Sequence, residues 1–102
     1  MKEGDLVKSI IQYLEWSGCI AHRINSGTIR IGGRTIKLAE SGTADIVGCL
    51  PNGRFFAIEL KLDYNKPNIK QLQYLADVEA RGGLAIVAYS LQDVETAIRG
   101  AM

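Results

Sequence analysis

Histidine is almost missing from this chain: His22 is the only one in 102 residues. A multi-histidine metal centre within one protomer is therefore excluded. Cysteine is nearly as scarce. Cys19 and Cys49 are too few for a disulfide framework and lack the CxxC spacing of a zinc site, so both are expected as free, buried thiols. No apolar run approaches the roughly 20 residues that cross a bilayer. The opening "MKEGDLVKSI" has no apolar signal core, so the expectation is a cytoplasmic protein without a membrane part. Excess charge is lacking too. At a net +1 the chain exerts no general pull on nucleic acid, and any such binding must come from where the charges lie.

What is present is a regular alternation of element signals over a length that suits one domain, residues 1–102. Leu6, Val7, Ile10, Ile11 and Leu14 recur at helical spacing, and Gly18 is placed to end that helix. "CIAHRIN" reads as a strand. "TIRIGGRTIKL" reads as a hairpin about Gly32-Gly33, which pairs Ile29 with Ile36 and Ile31 with Arg34. Its apolar side, Ile29, Ile31 and Ile36, is expected to cover a core. Its polar side, Thr28, Arg30, Thr35 and Lys37, is free to meet an anion or solvent.

"ADIVGCL" and "RFFAIELKL" flank Pro51-Asn52-Gly53 and form a second antiparallel pair, apolar enough to be central. The spacing then predicts a helix from Lys66-Pro67 to about Arg81, with Pro67 in its first turn and Leu72, Leu75, Ala76 and Glu79 along one side, Gln71 beside them. "LAIVAYS" supplies a strand parallel to Phe55–Leu60. Ser90 and Asp93 open a last helix through Arg99. The order is α, β-hairpin, ββ, α, β, α.

Two carboxylates and a lysine stand out against this pattern. In "FFAIELK", alternation places Phe56, Ile58 and Leu60 on one face and Ala57, Glu59 and Lys61 on the other. The turn at Asn52-Gly53 brings Asp45, at the start of the partner strand, near Glu59 to Lys61. Ionised carboxylates so placed repel one another unless one keeps its proton or a cation lies between them. Hard oxygen ligands select Mg²⁺ or Mn²⁺, which suits phosphodiester hydrolysis, with Lys61 positioning the nucleophile or stabilising developing charge. A plain ion pair of Lys61 with one carboxylate at a sheet edge is the competing account.

"GTADIVG", the following "ELK" and a helix bearing Gln71 resemble the D…E-x-K…Q pattern of the PD-(D/E)xK nuclease superfamily, in detail its virus-type replication-repair nuclease (VRR-NUC) domains. The similarity runs from the first helix to Tyr89. It implies an α/β, restriction-endonuclease-like core with a mixed sheet flanked by helices. It also implies a Mg²⁺- or Mn²⁺-dependent DNA endonuclease of a bacterium or phage-infected host, selective for branched DNA such as Holliday junctions and assembled as a homodimer. Asp45, Glu59 and the Leu60 carbonyl are then metal ligands, Lys61 the catalytic lysine and Gln71 its helical support. Glu3 corresponds to an acid that some members carry on the first helix. Ala44 stands where the superfamily name has proline, a position that supplies no ligand.

Arg23, Arg30, Arg34, Lys37, Lys66 and Lys70 surround the motif and are candidates for backbone phosphates, with Asn25 and Ser26 as neutral additions. Trp16, Tyr13 and Tyr74 are candidates for a dimer interface or for core. An inactive nuclease-fold module that only binds nucleic acid, and a structural domain with a charge network, are the alternative readings.

Overall fold

In the computed structural model, residues 3–24, 28–37, 42–63 and 65–102 are described, with the side chains of residues 28, 29 and 37 outside the description. Helix α1 spans Glu3–Trp16 and buries Leu6, Val7, Ile10 and Leu14. It ends at Ser17-Gly18, where the Cys19 amide donates back to the Leu14 carbonyl at 2.9 Å. Strand β1 (Ile20–Arg23) leads to the hairpin β2 (Thr28–Ile31) and β3 (Arg34–Lys37), then β4 (Ile46–Cys49) and β5 (Phe55–Leu60). Helix α2 (Ile69–Ala80), strand β6 (Leu84–Ala88) and helix α3 (Leu91–Ala101) complete the chain.

The main sheet has the order β1-β4-β5-β6, antiparallel through β5 and parallel between β5 and β6. Its two middle strands are those the sequence marks as central. Phe56, Ile58 and Leu60 face α1 and α3 in the larger core, while Ala57 joins Ala44 and Leu75 of α2 on the other side. The sheet is thus covered by helices on both faces, as the apolar run of β5 requires. Among the described residues no helix is long and apolar enough to cross a membrane.

Three expectations are corrected. The hairpin has the predicted register, with Gly32 and Gly33 at φ 57° and 77° as a two-residue turn with positive φ at both centres requires. The described side chains of its apolar side, however, cover no core: Ile31 and Ile36 are 59% and 42% exposed. The helices already occupy the main sheet, and β2–β3 forms a separate two-stranded ribbon. Helix α2 begins at Ile69 rather than at Pro67, because the Asn68 side chain takes the Gln71 amide at 2.9 Å and sets the cap there. Leu72, Ala76 and Glu79 are exposed. The inward line is Gln71, Tyr74, Leu75 and Val78, so the helix is rotated from the predicted facing.

Gly42 comes close to α2. At φ 94°, an added Cβ there would lie 2.8 Å from the Lys70 Cβ, so only glycine lets the chain pass this closely into Asp45. Trp16 is exposed at the end of α1, whereas Tyr13 and Tyr74 are half-buried. Cys19 is buried and Cys49 half-buried, both as free thiols. Asn25 and Ser26 lie outside the described residues, as does the side chain of Lys37.

Candidate active site

The β4–β5 ladder stops at Ile46 opposite Ile58. One residue earlier, the Asp45 carbonyl still accepts from the Ile24 amide beyond β1 at 2.8 Å, but its carboxylate turns the other way and accepts from the Leu60 amide at 2.7 Å. A side chain here replaces a missing strand partner. The Lys61 amide donates to Ala88 of β6, so alternation aims the Leu60 N–H and C=O back toward Asp45.

Glu59 lies opposite Asp45 and is only 2% exposed. Its Oε1 accepts from Gln71 Nε2 at 3.3 Å, and its buried Oε2 accepts from no donor among the described residues. Burial first, then the neighbouring Asp45, pushes the Glu59 carboxyl up to about 8, against the lowering pull of Lys61. Gln71 is held at both ends. Its Oε1 accepts from the Asn68 amide at 2.8 Å, which completes a capping box and leaves the Nε2 for Glu59.

These groups line one polar cavity of about 510 Å³, together with Glu3, Lys61, Leu62, Asn65 and Lys66. The helical start of α1 therefore places Glu3 beside residues some forty to sixty positions away. Lys61 is half-buried and, among the described residues, forms no salt bridge with either carboxylate. The ion-pair account of E-x-K is not what the geometry shows.

Of the basic residues named from sequence, Lys66 lines the cavity. Arg30 and Arg34 are exposed on the hairpin, Arg23 is exposed at the end of β1, and Lys70 is exposed on α2 beside Gly42. Sequence reasoning passed over Asn65, and over Asn68 as the residue that orients Gln71. The N-x-x-Q spacing of a capping box would have revealed Asn68.

The donor set can be tested against a hard cation. Among the described residues no three His, Cys, Asp or Glu side chains cluster as a ready cage. Two carboxylates, one with an orphaned buried oxygen, and a carbonyl aimed toward them nonetheless fit Mg²⁺, which keeps several waters and takes only one or two carboxylates.

No protein-family model matches the sequence, and no curated protein does. Among solved structures, a "VRR_NUC domain" superposes with a TM-score of 0.71 over 98% of this chain and 97% of its own, at 25% sequence identity. The chain has the fold of a VRR-NUC domain. For a VRR-NUC domain, a nuclease fold, the mixed four-stranded sheet flanked by three helices is the expected architecture. The match extends along nearly the whole length of both chains.

Proposed function

We propose that this VRR-NUC domain is a Mg²⁺- or Mn²⁺-dependent DNA endonuclease that acts on branched DNA such as four-way junctions. In this reading it works as a single-domain homodimer in phage or mobile-element replication, recombination or repair. The observation that carries the reading is the Glu59 carboxyl buried beside the Asp45 carboxylate, in a cavity that Lys61 also lines, with Lys61 in no salt bridge to either among the described residues. Two carboxyls held together out of water keep a proton or need a cation between them, and a domain without a use for the pair has no reason to bury it.

Asp45, Glu59 and the Leu60 carbonyl would hold the cation, with Glu3 at the cavity margin. A cation held there would supply Lewis-acid chemistry, polarising a phosphoryl oxygen and acidifying water. The protein's own groups divide the remaining work. Glu59 gives up its proton on loading, because a ligating carboxylate must be ionised. Gln71 fixes the Glu59 carboxylate through Oε1. The Lys61 ammonium donates to a phosphoryl oxygen as negative charge builds during attack by water at phosphorus and rupture of a P–O bond. Lys66 meets a neighbouring phosphate as a positioning charge.

The test is cleavage of labelled four-way junction, flap and duplex DNA with Mg²⁺, Mn²⁺ or EDTA, using wild type and Lys61→Ala. Metal-dependent cutting that the variant loses is expected, with the branched substrates cut fastest. Binding without cutting by the wild type would instead support the inactive nucleic-acid-binding module.

A further inference from the structure

A second cavity, of about 220 Å³, lies between α1 and the β6–α3 junction, lined by Leu6, Ser9, Leu62, Tyr89, Ser90 and Leu91. It adjoins the candidate active site. Leu62 lines both cavities, and the Asn65 carbonyl, in the wall of the first, accepts from the Tyr89 hydroxyl of the second at 3.0 Å. On α1, Glu3 lines the first cavity and Leu6, about one turn on, the second.

The chemistry of this cavity differs from that of its neighbour. Among the described residues no charged side chain lines it. Its hydroxyls are largely engaged: Ser9 donates to the Asp5 carbonyl at 3.1 Å, Ser90 accepts from the Asp93 amide at 3.2 Å, and Tyr89 donates to Asn65. Tyr89 is 41% exposed with its hydroxyl fixed, which leaves a held aromatic ring available for contact. A phosphate would gain nothing here. The volume falls below the ~300–1,000 Å³ of pockets for drug-sized ligands and suits a single planar ring system.

We infer that this cleft takes one unstacked nucleobase of the substrate strand, next to the phosphate to which Lys61 donates. The inference rests on the nuclease reading and gives it a substrate rule. Branch points, flaps and bulges offer an unpaired base without further cost, whereas plain duplex must first break a pair and a stack. With so few free polar groups the cleft reads no base identity, so selectivity follows strand structure rather than sequence.

The experiment compares duplexes carrying one bulged nucleotide with the same duplexes fully paired and with the bulge made abasic. In parallel, 2-aminopurine placed at the bulge reports stacking by fluorescence in EDTA, where no turnover is needed. Expected are cutting beside the bulge about tenfold faster than in the paired duplex, loss of that advantage on the abasic bulge, and quenching of 2-aminopurine on binding. Ser9→Leu, which fills the cleft from a helix position, collapses the bulge-to-duplex ratio and the quench; Tyr89→Phe, which keeps the ring, preserves the quench. An abasic bulge cut as fast as a natural one, a Ser9→Leu loss shared equally by both substrates, or no quench would each overturn the inference. Quenching that Ser9→Leu abolishes, with no DNA cut under any metal, would uphold the base cleft and sink the nuclease reading instead.

Discussion

Gln71 Nε2 donates to Glu59 Oε1 at 3.3 Å while Gln71 Oε1 accepts from the first turn of its own helix. The amide orientation is set by the helix cap, and through it the cap sets which way the buried carboxylate faces. Local helix chemistry and the candidate active site are the same hydrogen-bond network.

The metal-free protein should lose stability as pH rises. Glu59 has its folded carboxyl raised from 4.5 to about 8, so between those values the native state keeps a proton that the unfolded chain has released. The penalty is absent below pH 4.5, grows through the window and is complete above pH 8, at no more than a few kcal/mol. Urea midpoints of the EDTA-treated protein at pH 5.5 and pH 8.5 measure it. Added Mg²⁺ should restore more stability at the higher pH, since ligation requires the ionised carboxylate.

Asp45→Asn should separate activity from stability. The new side chain keeps an oxygen for the Leu60 amide but removes the charge beside Glu59. Cutting is lost, while the metal-free protein gains about 1 kcal/mol at pH 8.5 and nothing near pH 4. Calorimetric melts at both pH values check the pair, and an equal change at both would contradict the repulsion argument.

Lys61→Ala should reduce cutting by ~10²-fold or more, as expected when a preorganised charge at a transition state is removed. Because Lys61 pulls the Glu59 carboxyl down, its loss also shifts the pH at which Mg²⁺ stabilises the protein upward. A Mg²⁺ titration followed by melting temperature detects that shift without any turnover.

Gln71→Ala removes both the return half of the capping box and the donor to Glu59, and should cost about 1–2 kcal/mol. Gln71→Glu keeps the cap, since Glu serves at that position, but faces Glu59 with a second acid. Its stability should approach wild type at pH 5.5, where protonated Glu59 can donate to it, and fall to the Ala level at pH 8.5. Equilibrium urea unfolding distinguishes these outcomes.

That Asp45 lies near the Glu59 end of the partner strand was legible in the sequence because a short turn joins the two strands, whereas the exact register was not, since the ladder is centred on Asn52 rather than between Asn52 and Gly53. The parallel β5–β6 unit was legible for a similar reason: a helix-length segment separates two apolar runs. The facing of α2 was not. Its apolar residues Leu72 and Ala76 suggest one side, but the cap at Asn68 and the polar contact of Gln71 with Glu59 turn the helix to another. The hairpin misled for a different reason. Alternation reports which residues share a face, not whether anything is left to pack on it, and both faces of the main sheet were already taken. The cleft at Tyr89 draws on three separate segments and leaves no periodic trace.

The carboxylate of Asp45 stands in for a strand partner at the end of the β4–β5 ladder. The Leu60 N–H is consequently a built-in reporter. Its exchange with solvent deuterium is slowed only while Asp45 is seated, so its protection should track the integrity of the acidic pair directly. A single amide resonance then follows the opening of the site in solution, independent of substrate, metal or product.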